Sequence, residues 1–168
     1  PMVNTPLVDT MVNDALWDAV NGYHMGMTAE NIAEKWELTK RELDEFALSS
    51  QMKAAEAIKA GRFGEEIVPI KIKEKTGEIT VDADEQPRPH ISPEKLSCLK
   101  PAFKPDGIVT AGNSSGINDG AAAVVLVSEK KVKELNLSPQ AEWIGGALAG
   151  VDPSLMGIGP VESTKKLL

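Results

Sequence analysis

The run GAAAVVLVS at residues 120–128 restricts the possible folds more than any other part of this chain. It is almost continuously apolar, the pattern of a strand covered on both faces. Such a strand does not stand alone, because its edges would expose unpaired backbone groups. It calls for partner strands, from further chain or from another copy. AEWIGGALAGVD at 141–152 reads as a second buried strand, in which Gly145 and Gly146 permit close approach. Between the two, EKKVKELN has the composition of a short exposed helix. Strand, helix, strand and a helix opened by Pro160 make pieces of an α/β core.

Upstream the character differs. Residues 6–20 place Leu7, Met11, Leu16 and Val20 at helical spacing. GYHMGM breaks that pattern, and TAENIAEKWEL resumes a helix with Thr28 as its expected N-cap. Thr39 and Glu42 have the spacing of a capping box, with Leu38 and Leu43 as its hydrophobic staple. The helix they start is expected to reach about Ala60 and to stop at Gly61, with Leu43, Phe46, Ala47, Ser50, Ala54, Ala57 and Ile58 on one face. EIVPIKIK and EITVDAD are short β-prone runs joined by EKTG, a hairpin pattern. Five prolines keep 85–107 irregular, apart from a turn or two of helix in SPEKLSCL, capped by Ser92 and opened by Pro93. The reading is three segments: a loop-and-helix domain over 1–117, a strand and short helix over 118–139, and the start of a further core half over 140–168.

Bulk properties exclude several classes. With 168 residues the chain can bury a real core. A net charge of −7 argues against nucleic acid as the main partner. No apolar run approaches the ~20 residues of a membrane helix. The opening PMVNTPLVDT lacks the basic and apolar regions of a signal peptide. It also lacks an initiator Met, and GPVESTKKLL stops without a cap, so both ends are expected to be cuts in a longer protein. One cysteine, Cys98, allows no internal disulfide and fits a reducing, cytoplasmic setting. Its neighbours Leu96 and Leu99 point to a buried structural thiol rather than a nucleophile. Two histidines and no CxxC pair leave no zinc site, and no metal or cofactor is expected.

Several short stretches carry possible chemistry. AGNSSGINDG precedes a strand instead of opening a helix, so it lacks the helix-dipole geometry of a phosphate loop. It is either a tight turn or a loop whose amides and Ser115 hydroxyl meet an extended ligand. GYHMGMTAEN sets His24 and Met25 between glycines, as a structural histidine beside core methionines or as an apolar slot with one polar group. Arg88 stands between two prolines in DEQPRPH, a solvated arginine or a stiff arm for a phosphate or an adenine face. Met156 in GVDPSLMGIGP belongs to a turn or to a pocket wall.

Taken in order, YHMGMTAEN, GRFGEEIVPI, VDADE, LKPAF, VTAGNSSGINDGAAAVVL and GVDPSLMGIGP resemble the thiolases, most of all their biosynthetic, acetyl-CoA-condensing branch. The resemblance covers essentially all 168 residues. It implies an α/β, thiolase-like fragment: a helical and β loop domain that covers coenzyme A, followed by part of a layered αβα core. It implies an acyltransferase that condenses two acetyl-CoA into acetoacetyl-CoA, and the reverse, with a degradative 3-ketoacyl-CoA thiolase as the alternative. A module that binds coenzyme A or supports assembly without chemistry is the non-enzymatic alternative.

By that resemblance Leu16, His24 and Met25 line the pantetheine channel, with Phe103 and Ala111 as further walls. Ser115 hydrogen-bonds the pantetheine amides and Gly116 sits beside it. Arg88 lies near the adenosine diphosphate end, and Met156 near the acyl pocket. The catalytic cysteines and histidine of the family fall outside these residues, so none of them is expected to be catalytic and the chain by itself is expected to be inactive. Coenzyme A thioesters are substrates, the expected assembly is a homotetramer, and the segment near residues 1–6 is where its contacts are expected. Many relatives have Asn-Ala-Ser-Gly where this chain has Asn113-Ser114-Ser115-Gly116.

Overall fold

The computed structural model describes residues 4–75 and 77–168. The first three residues of the segment expected to make tetramer contacts, and Thr76 of the expected hairpin turn, lie outside the described residues. The chain divides into two units, the first reaching Gly116 and the second spanning Ile117–Leu168.

Aspartates shape the start of the first unit. Asp9 accepts the backbone N–H groups of Met11 and Val12 at 2.9 and 3.4 Å, and a π-helical turn follows over Met11–Leu16. The chain then becomes extended in β1 (Trp17–Asp18), which pairs antiparallel with β2 (Tyr23–His24). Asp18 closes the connection by accepting from the Val20 and Asn21 amides, and Gly22 adopts φ +73°. The Asn21 side chain also donates to Asp18 and holds that carboxyl below the usual range. The helix expected over 6–20 is therefore absent beyond Leu16, because aspartate side chains offer the backbone local partners that compete with helical ones. Leu7 and Val20 are exposed, so the expected apolar stripe is not buried.

Helix α1 (Gly26–Lys35) begins before Thr28, which lies inside the first turn, is buried, and donates its hydroxyl to Met25 O. Thr28 is thus no N-cap. The helix ends with Glu37 in the left-handed region, φ 53°, while Leu38 N–H reaches back to Ala33 O. Helix α2 (Lys40–Lys59) starts on the expected capping box: Thr39 Oγ1 accepts Glu42 N–H, and Glu42 Oε2 accepts Thr39 N–H at 2.8 Å. Gly61 terminates it at φ +68°. Its buried member is Asp44, whereas Phe46, expected inside, is 79% exposed.

Strands β3 (Ile70–Glu74) and β4 (Gly77–Val81) form the expected antiparallel hairpin, with Ile72 opposite Ile79. Helix α3 (Pro93–Ser97) is capped by the Ser92 hydroxyl, which accepts Lys95 N–H at 3.3 Å. Its Leu96 is the most buried apolar side chain among the described residues. Cys98, two residues further round the same turn, is exposed, which corrects the expectation of a buried thiol: Leu96 takes the inward position and helical geometry turns Cys98 away. An isolated bridge between Pro101 and Thr110 then brings the chain back on itself, with Ala102 N–H on Val109 O at 2.9 Å.

In the second unit, α4 (Glu129–Leu135) has Ser128 as its cap and Asn136 in the left-handed region after it. A 3-10 helix over Pro153–Ile158 leads into α5 (Gly159–Leu167), with Leu155 buried. The two runs expected as interior strands carry no ladder among the described residues. Val125 and Leu148 are 90% and 91% exposed, and Val124, Leu126, Trp143 and Ile144 are exposed with them. A strand is defined by a partner, and none of the described residues of this unit supplies one.

Candidate functional site

The first unit brings two of the sequence-derived candidates, His24 and Phe103, into one ring stack. His24, at the end of β2, lies against Phe103 with centroids 4.7 Å apart and planes 24° from parallel. His24 Nδ1 accepts Gly26 N–H at 3.0 Å, so the neutral ring carries its proton on Nε2. Gly26 makes the stack possible: a Cβ there would fall 2.3 Å from a Phe103 ring carbon. Beside His24 the main chain of Met25 is tied to that of Leu16, Met25 N–H donating to Leu16 O at 2.7 Å. Leu16, His24, Met25 and Phe103 are all half-buried, and the stack sets one imidazole against one apolar ring.

The segment 107–116 follows Phe103 and returns through the Pro101–Thr110 bridge. Two buried carboxylates hold it. Glu30 of α1, 4% exposed, accepts the N–H groups of Ile108 and Val109 at 3.1 and 2.9 Å. Gly107 leaves the room for this, because a Cβ there would lie 2.2 Å from Glu30 Oε1. Asp44 of α2, 7% exposed, accepts Asn113 Nδ2 at 3.0 Å and pairs with Lys40. Asn113 also donates to Ile108 O at 3.0 Å and accepts Thr110 N–H at 2.8 Å. Thr110 is fully buried, and its Oγ1 accepts Gly112 N–H. Buried polar groups are tolerated when each finds a partner, and these do. Ala111, Ser115 and Gly116 stand exposed on the segment so held.

Gly112 has a reason of its own. A Cβ would come within 2.4 Å of Leu99 and 2.6 Å of Leu96, so the protein's own leucines require the glycine. The small residues of this stretch thus serve internal packing at Gly112 and leave exposed backbone at 114–116.

Two candidates stand apart from the stack. Arg88 is exposed on the loop after β4, its backbone N–H donating to Gln51 of α2 at 2.8 Å. Met156 belongs to the 3-10 helix of the second unit and is exposed. Elsewhere in the first unit, an open groove of about 440 Å³ runs between α2 and α3, lined by Lys40, Asp44, Leu48 and Pro93 among others. It contains none of the sequence-derived candidates. Sequence reasoning missed Glu30, Asp44 and Asn113. Glu30 and Asp44 are the buried acids of α1 and α2, and no local pattern marks either of them.

Comparison with known proteins gives the family. The family model for the thiolase N-terminal domain matches residues 1–130. The chain is 55% identical over 168 residues to the acetyl-CoA acetyltransferase of Pseudomonas aeruginosa, covering 99% of itself and 43% of that protein. Its structure superposes on that of the acetyl-CoA acetyltransferase from Syntrophomonas wolfei with a TM-score of 0.92 at 46% identity, over 99% of this chain and 42% of that one. Human mitochondrial 3-ketoacyl-CoA thiolase matches with a TM-score of 0.89 at 43% identity, over 98% and 42%. The chain thus spans less than half the length of these relatives. Its mixed helices and short sheets have the fold of the corresponding segment of these structures, and the chain belongs to the thiolase family.

Proposed function

We propose that this chain is the coenzyme-A-covering segment, with adjoining core elements, of an acetyl-CoA C-acetyltransferase. The observation that carries the reading is the match along nearly the whole chain to relatives of that name. The His24–Phe103 stack agrees with it: an apolar face bearing one polar ring suits a pantetheine arm. In this reading Leu16, His24, Met25, Phe103 and Ala111 form the channel wall. Ser115 donates its hydroxyl to, or accepts from, a pantetheine amide beside Gly116. Arg88 meets the adenosine diphosphate, and Met156 borders the acyl group. The reaction joins two acetyl-CoA into acetoacetyl-CoA with release of coenzyme A, and none of the residues named here forms or breaks a bond. Cys98, exposed after α3, has no part in it. The intact protein works in the cytoplasm as a homotetramer.

The likeness to a 3-ketoacyl-CoA thiolase supports a second reading, in which longer 3-ketoacyl chains are cleaved. A substrate series separates the two. The intact protein should cleave acetoacetyl-CoA with coenzyme A at least as well as 3-ketooctanoyl-CoA. A marked preference for the longer chain favours the second reading, and no turnover of either defeats both. Within the first reading, Ser115→Ala should weaken use of acetyl-CoA by about 1–3 kcal/mol, the cost of leaving a desolvated amide unpaired. Acylation by S-ethyl thioacetate, which lacks the pantetheine arm, should not change. Equal losses with both thioesters would make the segment a structural turn only.

A further inference from the structure

We propose that Asp44 is a positioning residue for coenzyme A binding, acting through Asn113 on the exposed segment 114–116. The inference rests on the functional reading above and adds the part of the protein that fixes the pantetheine contact in space.

The argument begins with Asn113. Its side-chain amide is oriented by three partners: Nδ2 donates to Asp44 Oδ1 and to Ile108 O, both at 3.0 Å, and Oδ1 accepts Thr110 N–H at 2.8 Å. Rotating the amide by half a turn would set its oxygen against two acceptors and its nitrogen against a donor. Two of these bonds fold the segment onto itself, and the third ties it to α2. Asn113 is two residues from Ser115, so a fixed Asn113 limits where the Ser115 hydroxyl can go.

Asp44 is in turn fixed. Its second oxygen receives Lys40 Nζ at 2.5 Å, one helical turn earlier, and Lys40 also donates to Leu96 O at 2.8 Å. Side-chain exposures of 25% for Lys40 and 10% for Asp44 make this a partly buried pair rather than a surface one. The chain of contacts therefore runs from Leu96 in α3 through Lys40 and Asp44 in α2 to Asn113. Leu96 and Leu99 also flank Gly112, so packing and hydrogen bonding secure the same short stretch from two sides. Past Asn113 the side chains are exposed, and the brace ends where a ligand-facing surface would begin. Only a carboxylate serves both neighbours at 44, because each presents a donor.

The test uses the intact acyltransferase and follows acylation by acetyl-CoA and by S-ethyl thioacetate through intact mass. Asp44→Ala should raise the half-saturating acetyl-CoA concentration about tenfold, the scale of one charge-assisted hydrogen bond. Its maximal acylation rate and its reaction with S-ethyl thioacetate should hold. Combined with Ser115→Ala, the effect should be non-additive, with the double variant close to the worse single one. Asp44→Asn keeps the shape and one acceptor, so it should give a smaller rise; it also carries the test if the alanine variant does not fold. Equal slowing with both thioesters, an additive double variant, or an unchanged concentration in both position-44 variants while Ser115→Ala is impaired would each overturn the brace alone. A silent Ser115→Ala would instead remove the pantetheine contact, and the brace would fall with that reading.

Discussion

The segment 107–116 and the run 120–128 are neighbours in sequence and opposites in physics. The first is polar and glycine-rich, yet its backbone is anchored by buried Glu30 and Asp44. The second is apolar, yet Val124, Val125 and Leu126 lie open to solvent. Burial therefore follows the availability of partners and not hydrophobicity alone. Where helices α1 and α2 supply carboxylates, polar loop backbone becomes interior. Where no strand supplies a ladder, valines stay outside. Exposed apolar surface on that scale marks a surface meant to be covered.

Removing the anchor tests the first half of this contrast most severely. Glu30→Ala should leave the Ile108 and Val109 amides without their acceptor, at about 1–3 kcal/mol for each buried group. Amide exchange across 107–113 should accelerate strongly while that of α4 and α5 stays as it was. Unchanged protection would mean that the backbone packing alone holds the segment. Next comes Gly26→Ala, whose added methyl must displace the Phe103 ring; overpacking of this kind costs on the order of 1–3 kcal/mol. Loss of the ring-current shift at His24 would report it, and an intact shift would show that the stack can slide.

What the sequence revealed, and what it hid, divides along the same line. The Thr39–Glu42 box, Ser92 before Pro93 and the β3–β4 hairpin were all legible, since each device lies within a few residues. The ties from Glu30 to Ile108 and Val109, and from Asp44 to Asn113, span about 70 to 80 positions and leave no local pattern. Residues 6–20 misled because helical spacing was visible while the competing Asp9 and Asp18 bonds depend on geometry. Cys98 misled because apolar neighbours do not say which side of a turn faces inward. The ring stack of His24 on Phe103 was approached only through family resemblance, for 79 residues separate the two.

A smaller effect concerns acid. Thr39, through its hydroxyl and then its backbone N–H, holds the Glu42 carboxyl below its ordinary value of 4.5. A carboxyl depressed on folding contributes stability above its unfolded value and loses it as pH falls through the folded one. Protection of the first turn of α2 should therefore be constant from neutral pH to just above 4.5 and then decline. Glu42→Gln should flatten that decline without altering the segment 107–116. A decline of equal size in the variant would assign the acid sensitivity to other groups.

The least stability change is expected from the most drastic substitution by polarity, Val125→Lys. At a well-packed interior strand it would bury a charge and be severe. Here Val125 is 90% exposed, so lysine loses almost no packing, and the cost to this chain should stay within about 0.5 kcal/mol. Association is where the change should register. Exposed β-prone apolar runs pair with one another, and a lysine in the run opposes that pairing. Sedimentation velocity should show less self-association for Val125→Lys than for the original chain, with amide protection of α4 and α5 unaltered. In the intact protein, where the sequence leads one to expect partner strands over 120–128, the same lysine should prevent a stable core. A lysine harmless in both settings would mean that the run is never covered, and its apolar character would then need a reason other than the sheet.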